Sequence, residues 1–91
     1  MPTITEMLTQ AKALHASGRQ REAEFLYRQI LSVDSENVEV HFLHAVACHA
    51  LGQPVDAINS LQHALRLRPD FSEAHDHLGV VLAQLLSLIH I

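Results

Sequence analysis

The chain of 91 residues is long enough for one small domain, which buries only part of its apolar surface. Its net charge of −4 and its lack of a basic cluster exclude an evident nucleic-acid partner. The single cysteine, Cys48, rules out an internal disulfide and favours a reducing, cytoplasmic location. No secretory signal or membrane-spanning apolar segment is recognisable, so we expect no membrane partner.

The first two predicted elements are helices, because apolar residues recur at helical spacing and no segment alternates with the period of a β-strand. A first helix is predicted from about Ile4 to Ala16. Thr3 and Glu6 have the spacing of a capping box at its start, and Gly18 can end it in the left-handed conformation. A second helix is predicted from about Gln20 to Val33.

Three further helices are predicted in the remaining part of the chain. The third runs from about Val38 to Leu51. The fourth begins at Pro54, where the missing N–H of proline costs nothing. The fifth begins near Ser72 and runs towards the end, and Asp70 with Glu73 has the spacing of a second capping box.

An internal repeat connects these helices. Residues 18–31 and 52–65 keep a few small and apolar residues at a period of 34. The retained pairs are Gly18 and Gly52, Ala23 and Ala57, and Leu31 and Leu65. Helices that cross closely need small residues at the contact, so these positions predict tight crossings. The predicted crossing residues are Ala11, Ala23, Ala45, Ala57, Ala64 and Gly79.

On this pattern the chain resembles tetratricopeptide repeat (TPR) proteins over nearly its whole length. The family residues of the second unit are Ala45, Gly52, Ala57, Ala64 and Pro69. The first unit departs from the pattern at Ile30 and Ser35. The resemblance implies an all-α solenoid of about two and a half repeats, a right-handed superhelical stack of helix pairs. The single domain 1–91 would comprise units of about 4–37 and 38–71 and an incomplete unit 72–91.

A narrower resemblance concerns ALHASGRQREAEFLYRQILSVDSEN, residues 13–37, and ALRLRPDFSEAHDHLG, residues 64–79. Both are similar to the N-terminal arrays of bacterial multidomain proteins, some with an O-linked N-acetylglucosamine transferase-like domain, others with a sulfotransferase or methyltransferase domain. The family resemblance implies a non-catalytic module that binds a peptide segment of another protein. The alternative is a substrate-selecting segment of a larger glycosyltransferase or sulfotransferase.

The tail, residues 86–91, departs most from the family, which normally ends an array with a polar-faced capping helix. It is either a native end or a truncation with non-native residues appended, and we expect the truncation. The fifth helix should then expose an apolar face and promote self-association. The residues predicted on that face are Val81, Leu82, Leu85, Leu86, Leu88 and Ile89.

Residues for catalysis, cofactors or metals do not form recognisable sets. The serines lack nucleophile-elbow glycines, and no glycine-rich phosphate loop is present, so we expect neither an enzyme nor a cofactor. Cys48 is interpreted as a small core residue. The histidine pairs around His41 and His75 lack further ligands at suitable spacing, so we expect no metal site.

The candidate binding surface follows from the resemblance, because the first helix of each TPR unit lines a concave face. The predicted groove residues are Leu8, Lys12, His15, Glu39, Phe42, Val46, His49, Glu73, Asp76 and Val80. The alternative is that these residues are ordinary solvent-exposed positions without a binding role. Three acidic residues against Lys12 predict a partner segment that carries basic and apolar residues.

Overall fold

The computed structural model describes residues 3–89, which form five α-helices joined by short turns. The helices are α1 Ile4–Ala16, α2 Gln20–Val33, α3 Val38–Ala50, α4 Pro54–Leu67 and α5 Ser72–Ile89. Each helix packs on the next one, α3 also contacts α5, and the stack measures 50 × 28 × 18 Å. The predicted all-α class and the order of helices are confirmed, while the right-handed superhelix stays a prediction. None of the described helices is both long and apolar enough to cross a bilayer.

The signals that start and end the first helix act as predicted. The Glu6 amide donates to the Thr3 hydroxyl over 3.1 Å, and the Glu6 carboxylate accepts from the Thr3 amide, which completes the capping box. Gly18 and Gly52 follow α1 and α3 with φ of 85° and 76°. A side chain is disfavoured in this left-handed conformation, which explains why glycine recurs at both turns.

The predicted capping box at the start of α5 is wrong. The helix begins at Ser72, so its cap position falls on Phe71 and Asp70 lies one residue too early. Asp70 instead places a carboxylate oxygen 3.8 Å from the Nε atom of Arg68, in an exposed ion pair. Such a pair contributes little to stability.

Two apolar clusters form the core, one on each side of α3 along the stack. The cluster between α1, α2 and α3 contains the buried residues Ala11, Ala23, Tyr27, Ile30, Val40 and Ala47. The cluster between α3, α4 and α5 contains Ala45, Cys48, Ala57, Leu61, Ala74 and Val81. All five alanines predicted at helix crossings are fully buried. The paired helices therefore approach through alanine, as the repeat indicated.

Gly79 does not serve as a crossing residue, although it lies 34 residues after Ala45. It is exposed, and a Cβ added to it would meet nothing within 4 Å. Ala11 and Ala45 are buried because the second helix of their own unit covers them, with Ala23 and Ala57 in the same clusters. The described residues contain no helix after α5 that could cover Gly79.

The apolar face predicted on α5 is confirmed in part. Leu82, Leu86 and Leu88 are 42%, 64% and 78% exposed. Val81 is fully buried, because it lies two helical turns from Ala74 and faces the second cluster with it. The predictions for the Ile89 side chain and for residues 90–91 lie outside what the structure describes.

Enlarging Ala57 tests the crossing of α3 and α4. We expect Ala57→Leu to cost about 1–3 kcal/mol, because extra methyl groups overpack the contact. For a domain of this size each kcal/mol lowers the melting temperature by about 4–8 °C. Thermal unfolding followed by circular dichroism measures the shift. Ala13→Leu, at an exposed position of α1, is the matched control and should melt like the wild type. An unchanged midpoint for Ala57→Leu would contradict the crossing.

Candidate peptide-binding site

The ten predicted groove residues lie in one stripe on each of α1, α3 and α5, and contacts between the helices bring the stripes together. We call this surface the groove face. Lys12 on α1 places Nζ 3.1 Å from a carboxylate oxygen of Glu39 on α3. Phe42 on α3 contacts the His77 ring on α5, with centroids 6.0 Å apart. The stripes are therefore neighbours, as the resemblance implied.

A cleft of about 320 Å³ opens between α1 and α3 on the groove face. Its lining residues are Lys12, His15, Ala16, Tyr27, Phe42, Leu43 and Val46. Lys12, His15, Phe42 and Val46 were predicted from the sequence as groove residues, whereas Tyr27 was not. Tyr27 comes from α2 and is fully buried. From the sequence, Tyr27 could be placed on the inward face of α2 and therefore in the core. That placement does not predict that its ring also lines the cleft.

Tyr27 and His15 form a neutral pair at the cleft. The Tyr27 hydroxyl lies 3.3 Å from Nδ1 of His15. Burial, and secondarily the charge of Glu39, raises the pKa of Tyr27, whereas burial lowers the pKa of His15. Both shifts favour the uncharged forms, so a single shared hydrogen bond joins the phenol oxygen and the imidazole nitrogen without a net charge. The cleft therefore has an apolar character, with Lys12 as its cation.

A chain of polar side chains connects α3 with α5 at the other end of the groove face. His49 Nδ1 lies 3.3 Å from His77 Nε2, and His49 Nε2 bonds the amide oxygen of Gln84. These bonds are satisfied when His77 donates to His49 and His49 donates to Gln84, each ring being neutral. Burial, and then the neighbouring His49, lowers the pKa of His77. His49 was among the predicted groove residues, whereas its contact with His77 depends on how α5 packs against α3.

The remaining predicted residues differ in how much surface they offer. Leu8 and Phe42 are partly buried, and each packs against one of the core clusters. Glu73, Asp76 and Val80 are exposed on α5. Because Glu39 is paired with Lys12, the acidic character of the groove face comes chiefly from α5.

Two of the histidines considered as metal ligands have a structural role instead. His41 donates Nε2–H to the carbonyl of Ser35 over 2.8 Å, and His75 donates to the carbonyl of Pro69 over 2.7 Å. The two histidines hold equivalent positions, 34 residues apart, and each ties a helix to the preceding turn. Their recurrence reflects the repeat.

A different set of metal-ligating side chains does come together. Within residues 3–89, Glu24, His44 and Cys48 place ligand atoms within 4.8 Å of one another. Glu24 lies 20 residues before His44 and on another helix, so spacing along the chain does not predict that the two side chains meet. No spacing motif within one segment could reveal it.

A family model described as tetratricopeptide repeat matches residues 14–85, which span most of the described helices. No curated protein matches the chain significantly.

Acidification should destabilise the chain through His77. The folded state lowers its pKa, so the unfolded chain binds a proton more readily near the ordinary value of 6.5. The stability that the fold gains from neutral His77 is complete above pH 6.5 and is lost as the pH falls below this value. We expect the melting temperature to drop between about pH 7.5 and about pH 5.5. His77→Gln should reduce this drop, because glutamine bonds without titrating.

His75→Gln, on the same helix, is the matched control and should retain the wild-type pH dependence. Differential scanning calorimetry over this pH range provides the measurement. An equally steep drop in His77→Gln would contradict the role assigned to His77.

Proposed function

The chain belongs to the tetratricopeptide repeat family, and we propose that it binds an extended or helical peptide segment of a partner protein on the groove face. Tetratricopeptide repeats are generally protein–protein interaction modules and are generally non-catalytic. A binding module needs a fixed surface and no reactive group. The alternative, in which the same face selects a protein substrate for a transferase domain, would use the same residues.

The cleft between α1 and α3 is the observation that carries this proposal. Its volume of about 320 Å³ lies at the small end of the ~300–1,000 Å³ found for ligand clefts. Such a space suits a few apolar side chains of a peptide better than a whole cofactor. Phe42, Leu43 and Val46 offer apolar contact, and Tyr27 forms a rigid floor because it is fixed in the first core cluster.

Charge on the groove face selects the kind of segment. Lys12 and Glu39 neutralise each other beside the cleft, whereas Glu73 and Asp76 leave the α5 side acidic. A complementary segment places apolar residues in the cleft and basic residues over α5. Exposed charges of this kind act through solvent, so they steer and orient the partner more than they tighten the complex.

A binding assay with designed peptides tests the proposal. We expect a peptide of alternating leucine and lysine blocks to bind more tightly than its glutamate counterpart, and to bind more weakly as salt rises, since screening at physiological ionic strength acts beyond ~8 Å. Asp76→Lys should weaken binding by about 0.5–1 kcal/mol, the scale of an exposed charge pair. Isothermal titration calorimetry gives the affinities.

Asp56→Lys is the matched control, because Asp56 is exposed on α4, a helix that contributes no residue to the groove face. It should leave the affinity nearly unchanged. The proposal would be contradicted if the glutamate peptide bound more tightly, or if both variants lost the same amount of affinity for the lysine peptide.

Self-association through α5 is a separate proposal, favoured by its exposed leucines. Leu82 and Leu86 are neighbours on the helix surface at i, i+4, and both are exposed. A second copy of this chain could cover the patch through a two-fold contact, in which the same surface meets itself. Contiguous apolar surface is seldom left in water by a monomer.

Sedimentation of residues 1–91 tests this contact. We expect a concentration-dependent dimer that Leu86→Glu converts to a monomer, because a carboxylate would have to be desolvated in the interface. Val55→Glu, at a position of α4 that is 62% exposed, is the control and should leave the dimer intact. A wild-type chain that stays monomeric at the highest attainable concentration would refute the proposal.

A further inference from the structure

A second and larger cavity lies on the opposite side of α3 from the groove face. It measures about 550 Å³ and opens between α2, α3 and α4. Glu24, His44 and Cys48 line it, with side-chain exposures of 13% for Glu24 and 12% for His44, and with Cys48 1% exposed. We propose that these three side chains bind one divalent metal ion of the zinc type, with the fourth position open to the cavity.

The three ligand atoms lie within 4.8 Å of one another, close enough for small side-chain movements to bring them around one ion. Cys48 Sγ lies 3.6 Å from His44 Nε2, and Glu24 Oε2 lies 2.9 Å from the same nitrogen. Zinc bonds of about 2.3 Å to sulfur and about 2.0–2.2 Å to nitrogen and oxygen, at tetrahedral angles, separate sulfur from nitrogen by ~3.6 Å and oxygen from nitrogen by ~3.4 Å. Because Sγ also lies 3.9 Å from Nδ1, the sulfur stands beside the imidazole ring, and the Cys48 side chain must turn towards Nε2 while the carboxylate moves back before all three atoms bind one ion.

Ser60 positions the imidazole for this role. Its hydroxyl oxygen lies 2.8 Å from His44 Nδ1, and its residue is buried. In the structure His44 donates Nε2–H to Glu24, so Nδ1 accepts from the hydroxyl. With a metal on Nε2, the proton moves to Nδ1 and the hydroxyl becomes the acceptor, because a serine hydroxyl can do either. Metal-bound histidines commonly donate their second nitrogen in this way.

The charges balance once the thiol loses its proton. Burial, and then the charges of Glu24 and Asp56, raises the pKa of Cys48 to about 12, so the thiol is protonated before an ion binds. A divalent ion displaces one proton to solvent, and the thiolate and carboxylate then neutralise the ion. Arg28 opposes binding, because its Nε lies 2.6 Å from Glu24 Oε2. Its side chain is 61% exposed and has room to turn into solvent.

The same contacts also form a serine–histidine–glutamate series, but a catalytic role does not fit. Ser60 lies within α4, where the helix itself uses the backbone amides, so the amides of that helix cannot stabilise an oxyanion beside its hydroxyl. The mixture of sulfur, nitrogen and oxygen ligands is instead typical of a zinc site. His41 and His63 also line the cavity, and His41 already donates Nε2–H to Ser35.

Cobalt(II) titration of the metal-free 91-residue chain tests the site. Because Cys48 is the sole cysteine, a thiolate-to-cobalt charge-transfer band in the near ultraviolet would identify it as a ligand without any variant. We expect this band to saturate at one ion per chain, with the intense visible bands of four-coordinate cobalt, and to disappear when zinc displaces cobalt. Stoichiometric zinc should also raise the melting temperature.

Variants separate this site from weak binding by other histidines. Cys48→Ser should abolish the charge-transfer band, and His44→Gln should weaken binding more than about 100-fold, since loss of a direct ligand exceeds the ~10–100-fold effect of its supporting partners. Ser60→Ala should weaken it by about 10–100-fold. His63→Gln, exposed in the same cavity, is the matched control and should bind like the wild type.

The proposal is overturned if folded wild-type chain gives no thiolate band with stoichiometric cobalt, or if the band persists in His44→Gln. It is also overturned if zinc stabilises Cys48→Ser as much as the wild type, since other histidines would then hold the ion. Circular dichroism confirms that each variant is folded. Because the site lies away from the groove face, peptide binding and metal binding are tested independently.

Discussion

The close approach of paired helices through alanine is the constraint on which the rest of the structure depends. Ala11 and Ala23 pack in the first cluster, and Ala45 and Ala57 pack in the second. A methyl group lets two helix backbones come near enough for the larger side chains around it to interlock. The stack, and with it the position of α3 between two clusters, follows from these crossings.

Because α3 lies at the centre of the stack, its two sides line different surfaces. One side carries Phe42 and Val46 to the groove face, and the opposite side carries His44 and Cys48 to the larger cavity. The flanking helices α2 and α4 complete that cavity, while α1 and α5 complete the groove face. One central helix thus carries both the proposed peptide-binding surface and the proposed ion site, on opposite sides.

The histidines show how one residue type serves several structural tasks. His41 and His75 secure turns through backbone carbonyls, whereas His49 and His77 connect α3 to α5. Among the histidines in residues 3–89, His44 is the one with a carboxylate, a hydroxyl and a thiol around it. Composition could not distinguish these roles, because the groups around each imidazole determine what it does. Most of those groups lie on other helices.

The sequence by itself determined the five helices, the 34-residue repeat and the alanine crossings, because periodicity, glycine turns and a capping box act over a few residues. It also pointed to residues that line the cleft, through the resemblance to a repeat family. The packing between helices decides that Val81 is buried, that open space surrounds the position of a Cβ at Gly79 and that Glu24 meets His44 across 20 residues of chain. These outcomes depend on which helix covers which, a long-range property that spacing within one segment does not contain.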